Sequence, residues 1–291
     1  MKIIKYFFEF ISVISLFCIF KIVGLKNASN LGSLIGRVLG PVFRSKNIIN
    51  QNIKIGLGNI DEEKKKKIIN GMWSNIGRTF AEYVFLKDFK FNRTNFNHMK
   101  INGTKYLDEI KNSNEPVIFY SGHFANFELM AMEIEKFGIK IAIIYRPLNN
   151  FFLNPLMEYL RMKYICPIQI AKSRMGTREM INRIKGGYSI ALLLDQRVSE
   201  GIKVPFFNKP AYTSTIPAQI ALKYNCKLAP ISIERIENTN FKITFHKSYE
   251  IEKTGNNEDD IKRITIKINK SLEKMIIKNP KQWILSHNRW K

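Results

Sequence analysis

The alternation of apolar and polar positions divides the chain into three stretches. Between 6 and 25 nearly every residue is apolar (Phe7, Phe8, Phe10, Ile11 and Val13 among them), broken by Glu9 and Lys21 and preceded by Lys2 and Lys5. A helix that crosses a bilayer needs about 20 apolar residues, and here only 10–20 is free of charge. The segment predicts a membrane-associated helix that either spans or lies in the interface, where aromatic rings and lysines suit the headgroup boundary. A buried core helix carries a similar apolar run. No small-residue cleavage site follows at Phe20-Lys21-Ile22-Val23, so a removable signal is not expected.

The second stretch is helical. Ile35, Val38, Leu39, Val42 and Phe43 recur at helical spacing over 31–52, with Arg37, Arg44 and Lys46 beside them, which predicts a basic amphipathic helix. Asp61-Glu62-Glu63 then opens another helix, acidic residues being favoured at the positive end of the helix dipole. That helix carries Ile68, Met72, Trp73, Ile76, Phe80 and Tyr83 on one side. The lysine run 64–67 is read as its solvated face.

From 114 onward short apolar runs alternate with helical stretches. Strands are predicted at 116–120, 139–145, 189–194 and 227–233, with an edge strand at 241–249. Helices are predicted at 127–137, 155–163, 177–184 and 216–224, and a closing helix at 260–277. The fold class is therefore α/β, a mixed, largely parallel sheet flanked by helices, with an N-terminal membrane-associated helix. The expected organisation is an anchor over 1–25, an amphipathic helical region over 26–113 and a catalytic core over 114–291.

Composition narrows the functional class. Lys+Arg 47 against Asp+Glu 24 gives a net charge of +23, which points to a polyanionic partner. With 45% hydrophobic residues the chain is too apolar to be disordered. Cys18, Cys166 and Cys226 are far apart and have no ligand spacing, so neither a disulfide framework nor a metal site is expected, and no cofactor is implied. The charge alone equally permits a nucleic-acid-binding protein, but no helix-turn-helix, zinc-finger or RNA-binding signature accompanies it. A non-catalytic membrane scaffold is a further alternative.

In parallel sheets ligands bind beyond the carboxyl ends of the strands, which singles out Ser121-Gly122-His123, Arg146-Pro147 and Asp195-Gln196-Arg197. The most specific signal is Gly122-His123-Phe124-Ala125-Asn126-Phe127-Glu128, a histidine five positions before a carboxylate. Five helical residues turn through about 500°, so the two share no helix face. They meet only if His123 lies on the turn and Glu128 in the first helical turn. In that geometry Glu128 holds one imidazole nitrogen and the other acts as general base on an acceptor hydroxyl. The hydroxyl then attacks an activated acyl carbon without an acyl-enzyme, and backbone N–H groups at the helix start supply an oxyanion site. A His-x4-Glu spacing also arises by chance, so spacing alone leaves this open.

The wider pattern is more specific. Gly36-Arg37-Val38-Leu39-Gly40, Asn75-Ile76-Gly77-Arg78-Thr79-Phe80-Ala81-Glu82, the His123 block, Tyr145-Arg146-Pro147, Asp195-Gln196, Val204-Pro205-Phe206-Phe207, Pro210-Ala211, Thr213, Pro217-Ala218 and the terminal block 282–291 occur in one order across nearly the whole chain. In this the sequence resembles the late acyltransferases of lipid A biosynthesis, which share a His-x4-Asp/Glu motif with glycerolipid acyltransferases. The resemblance implies an inner-membrane enzyme of a Gram-negative bacterium with its catalytic domain facing the cytoplasm. It implies acyl carrier protein as donor and a hydroxyl of a Kdo-bearing lipid A precursor as acceptor. His123 becomes the general base and Glu128 its partner. Arg161 is implied to contact phosphate or donor, Asp195 to organise the site, and Arg146, Gln196 and Asn126 to bind substrate or support the site. An Arg161–Asp195 pair that merely ties two elements together is the alternative for those two residues. The Pro-Glu-Gly block of glycerophosphate-type relatives is reduced to Ser199-Glu200-Gly201, while some relatives on the lipid A branch acylate mannosylated phosphoinositides or amines. The expected partners are thus acyl carrier protein, a lipid A precursor and anionic membrane lipid, with no nucleic acid; +23 serves all three.

Overall fold

A computed structural model describes residues 2–91 and 98–291. The N-terminal helices are α1 (Lys2–Val23), α2 (Leu25–Phe43), α3 (Lys46–Leu57), α4 (Glu62–Glu82) and, after one 3₁₀ turn at Tyr83–Phe85, α5 (Leu86–Phe91). β1 (Met99–Asn102), α6 (Thr104–Ser113), β2 (Val117–Ser121), α7 (Glu128–Lys136), β3 (Ile141–Tyr145) and α8 (Leu153–Tyr164) follow. Next come β4 (Ile168–Ala171), α9 (Arg174–Lys185), β5 (Ser189–Leu193), β6 (Ile202–Phe206) and β7 (Lys209–Thr213). The chain closes with α10 (Ile216–Tyr224), β8 (Lys227–Glu237), β9 (Asn240–Phe245), α11 (Asn257–Lys278) and a 3₁₀ turn at Pro280–Gln282.

Seven strands form one sheet in the order β1-β9-β8-β2-β5-β3-β4, parallel throughout except for β8 against β9. Central β2 is buried at every position, as its unbroken apolar run requires. The predicted edge strand is β9, but β1 pairs outside it, so it is interior. Both true edges are four-residue strands, too short to impose a period on the sequence. β1 and α6, which precede residue 114, thereby join the layer built by the rest of the core. The separate β6–β7 hairpin turns through Phe207 and Asn208, both with positive φ (52° and 58°), the conformation a two-residue hairpin loop needs.

The helix expected over 31–52 is two helices, because α2 ends at Phe43 and Ser45 starts α3. α2 crosses α4 at backbone contact. A Cβ on Gly36 would lie 2.2 Å from the Trp73 carbonyl oxygen, and one on Gly77 would lie 1.9 Å from that of Gly32. Asp61 caps α4 by accepting from the Lys64 N–H, as the acidic opening predicts.

β5 sits between β2 and β3; the chain leaves β5 toward β8 and leaves β3 for β4, in opposite directions. Such a divergence opens a crevice beyond the strand ends.

Candidate active site

The register of β2 against β5 builds the centre of the site. Ser121 pairs with Leu193, and two residues beyond each stand His123 and Asp195. His123 Nδ1 and Asp195 Oδ1 are 2.7 Å apart. Asp195 is 2% exposed, and its Oδ2 accepts the indole N–H of Trp283 at 2.8 Å. Burial alone would raise its pKa, but the His123 charge and the hydrogen bonds from His123 and Trp283 outweigh burial and hold it at about 2. An ionised carboxylate only accepts, so Nδ1 carries the imidazole hydrogen. In the neutral imidazole Nε2 is therefore the nitrogen that keeps the lone pair, and it has no hydrogen-bond partner among the described residues.

Glu128 is not the partner of His123. At the first position of α7 its Oε1 accepts from Arg161 Nε at 2.9 Å and Nη2 at 2.5 Å, and from the Tyr83 hydroxyl. The ring of Phe127 stands edge-on to His123, with centroids 4.9 Å apart. Asp195, delivered by strand register, takes the imidazole instead. The same geometry removes the Arg161–Asp195 alternative: Arg161 ties α8 to α7 and to Tyr83. Burial, then the Glu128 charge, pushes the Tyr83 hydroxyl well up. Burial would lower Arg161, but Glu128 overrides it and raises the guanidinium.

The turn between His123 and α7 is held in an unfavourable conformation. Ala125 has φ 44°, which costs a non-glycine residue roughly 1 kcal/mol or more. Its N–H donates to the Gln282 carbonyl at 3.1 Å, and its own carbonyl accepts from Asn75 Nδ2 at 3.1 Å and Thr79 Oγ1 at 3.0 Å. Phe124 N–H donates to Gly122 O at 2.9 Å, so neither it nor Ala125 N–H is available to an oxyanion. Gly122 lets the two strand ends approach: a Cβ there would meet the Phe124 ring at 2.8 Å and Asp195 Cβ at 3.1 Å.

Asn126 does not line the cavity. It is buried, and its Nδ2 donates to Glu82 Oε2 at 2.9 Å. Glu82 is itself gripped by Arg235, Nη1 to Oε1 at 2.5 Å and Nη2 to Oε2 at 3.0 Å, and by the Ser29 hydroxyl. This buried pair ties α2, α4 and β8 to the turn that carries His123 and Asn126.

A cavity of about 320 Å³ opens beside His123. Strand bodies and α7 give it apolar walls, including Phe119, Met130, Ile134, Ile143 and Leu192. Beyond the strand ends His123, Glu128, Arg146, Arg161, Gln196 and Arg197 supply the polar groups. The Arg197 N–H donates to His287 Nε2 at 3.0 Å. Burial holds the His287 pKa below its usual value, against the pull of Asp195. Arg289, 1% exposed, reaches Tyr212 O and Thr213 Oγ1 and stacks on Phe206. Burial pulls its pKa down to about 10.

Strand-end position signals His123, Asp195, Arg146 and Gln196. Trp283, Tyr83 and the Glu82–Arg235 pair were not expected at the site. Trp283 and Glu82 lie inside blocks that carry the resemblance, but nothing in their local spacing points to Asp195 or Asn126.

A base oriented by a buried acid at the lip of an apolar cavity can take a proton from a polar group while an aliphatic chain lies in the cavity. The fold is α/β, and the layout sets a polar lip over an apolar cavity. The model of the family described as "Bacterial lipid A biosynthesis acyltransferase" matches residues 1–291. The chain belongs to that family and is an acyltransferase. No curated protein matches it. Among solved structures it is similar to the 1-acyl-sn-glycerophosphate (LPA) acyltransferase PlsC from Thermotoga maritima, at 15% identity and a TM-score of 0.39, over 86% of this chain and 98% of that one.

Proposed function

We propose that this enzyme moves a fatty acyl chain from the thioester of acyl carrier protein to a hydroxyl of a Kdo-bearing lipid A precursor. The work is done at the inner membrane with the catalytic body facing the cytoplasm. The observation that carries the reading is the Trp283–Asp195–His123 chain of hydrogen bonds at the lip of the apolar cavity.

The aliphatic chain of the donor lies between α7 and the sheet, bringing its thioester carbonyl to the lip. His123 Nε2 takes the proton of the acceptor hydroxyl as its oxygen attacks that carbonyl carbon. The tetrahedral intermediate collapses by breaking the carbon–sulfur bond, and the imidazolium returns the proton to the departing thiolate. Asp195 stays ionised throughout and stabilises the transient imidazolium, a role that suits an acid held at about pKa 2. Glu128 acts as a positioning residue, because its acceptor oxygen is already taken by Arg161 and Tyr83. Arg146 and Gln196 are the groups at the lip available to phosphate or sugar carboxylate on the acceptor, or to phosphate on the donor arm, while Arg197 already donates through Nε to the Lys291 carbonyl and through Nη1 to the Ser199 hydroxyl.

The test is acceptor choice. With one acyl carrier protein thioester, kcat/KM is measured for a Kdo-bearing tetra-acyl lipid A precursor and for lysophosphatidic acid. A preference of at least a hundredfold for the former is expected. Equal use of both, or preference for the lysophospholipid, would contradict the acceptor assignment while leaving acyl transfer intact.

A further inference from the structure

The geometry points to α1 lying flat on a single anionic lipid leaflet rather than crossing the bilayer, as a shelf on the catalytic body. By length and composition α1 is able to span, since it has 22 apolar-rich residues and about 33 Å of helix against a hydrocarbon core of about 30 Å. Its contacts exclude that orientation.

One stripe of α1, Tyr6, Phe10, Phe17 and Phe20, faces the catalytic body over the length of the helix. Near the N-terminus Phe10 packs on Phe152, with centroids 6.0 Å apart. Asn150 Nδ2 donates there to the Tyr6 carbonyl at 2.9 Å and to Glu9 Oε2 at 3.1 Å. Near the C-terminus Phe17 packs on Phe80 at 5.2 Å, and Lys21 pairs with Asp88 at 3.3 Å. Tyr6 and Lys21 are about 22 Å apart along the helix axis, yet both are fastened to one body. If α1 stood along the bilayer normal with Lys21 at one surface, the loop around Asn150 would be carried deep into hydrocarbon. That loop is irregular backbone bearing Asn150 against Glu9, and lipid-exposed irregular backbone is not sustained at that depth. With α1 parallel to the surface, the loop, Glu9 and Lys21 all remain at headgroup level.

The opposite stripe identifies the occupant. Ile4, Phe8, Ile11, Ile19 and Ile22 are 63%, 64%, 45%, 45% and 84% exposed. Gly24, with φ 78°, breaks the chain into α2, where Val38, Val42 and Phe43 are exposed as well, near Arg37 and Arg44 in sequence. Lys2, Lys5 and Lys26 stand along the same two helices. An apolar face flanked by cations matches the interior and the charge of an anionic leaflet. The shelf is fastened to segments that lead to the cavity: Phe152 stands in the segment after Arg146 that opens into α8, and Phe80 lies one turn before Tyr83, which bonds Glu128. The orientation of α1 is the same whichever lipid is acylated and is independent of the acceptor.

The test uses the full chain with Cys18→Ser as parent, the other two cysteines being buried. Single cysteines are placed at Lys2→Cys and at Glu250→Cys on the body, where the side chain is 81% exposed. A membrane-impermeant maleimide is applied to spheroplasts and to sealed inverted vesicles. Both cysteines are expected to label in the same preparation; labelling of the two in opposite preparations overturns the proposal. In a second measurement the chain is floated with phosphatidylglycerol/phosphatidylethanolamine vesicles. Ile4→Glu/Phe8→Glu is expected to lower the bound fraction at least tenfold, with unchanged circular dichroism and unchanged acyl transfer in detergent. Undiminished flotation overturns it.

Discussion

Replacing Asp195 by asparagine changes one atom's chemistry and little of its volume, and the surroundings dictate which way the amide turns. The Trp283 indole N–H, 2.8 Å from Oδ2, requires an acceptor, so the amide oxygen faces Trp283 and the NH₂ faces His123. Nδ1 must then accept, which moves the imidazole hydrogen to Nε2, the nitrogen that has to take the acceptor proton. The enzyme loses its base in the ground state without losing its histidine. General-base assistance is worth on the order of 10²–10⁴-fold, so kcat for Asp195→Asn should fall by that amount while KM stays within a fewfold, since Asp195 is buried behind His123. The assay is steady-state transfer in detergent from an acyl carrier protein thioester, read by mass spectrometry of the lipid. The double variant His123→Ala/Asp195→Asn should be no slower than His123→Ala alone, because the two residues act as one unit. Glu128→Gln should cost less than Asp195→Asn. If Asp195→Asn stays within a fewfold of wild type while Glu128→Gln matches His123→Ala, the pairing argued from the structure is wrong and Glu128 is the partner.

Other consequences follow from the packing. Breaking the buried pair with Arg235→Ala leaves the Glu82 charge without its partner and should cost about 3–5 kcal/mol, read as a lower midpoint in chemical unfolding in detergent. Gly36→Ala puts a Cβ 2.2 Å from the Trp73 carbonyl oxygen and should destabilise by about 1–3 kcal/mol as α2 is pushed off α4. Filling the cavity with Ala131→Phe should move donor preference to shorter chains, each excluded methylene costing roughly 0.8 kcal/mol, or about fourfold in kcat/KM; an unchanged profile would mean that the chain lies elsewhere. Asp195, at about 2 in the fold against an ordinary 3.8, gives up protons on folding, so its contribution is complete above pH 4 and lost as pH falls toward 2. That contribution is about 2 kcal/mol, and Asp195→Asn should flatten stability against pH in that window.

Much of the fold could be read from periodicity because its central strands are fully buried apolar runs and its helices carry one apolar side. The predicted strands at 116–120, 139–145 and 189–194 fall on β2, β3 and β5, and their ends mark His123 and Asp195 as candidates. What periodicity cannot carry is which strand ends are neighbours. The β2–β5 adjacency joins positions 72 residues apart, and it alone decides that His123 meets Asp195 and not the carboxylate five residues away. The edge strands β1 and β4 are too short for a pattern. Trp283 and Arg235 act through long-range contacts that leave no local spacing, and α1 looks like a membrane span until its two ends are seen on one body.

The most direct test of the central claim is a single reaction. Purified enzyme is incubated with a panel of acyl carrier protein thioesters and a Kdo-bearing tetra-acyl lipid A precursor, and the lipid is weighed by mass spectrometry beside a His123→Ala control. The account predicts one added acyl chain with wild type and a loss of orders of magnitude in the control. Folded wild-type protein that adds no chain from any donor, or a His123→Ala variant that adds it at the wild-type rate, would contradict the account.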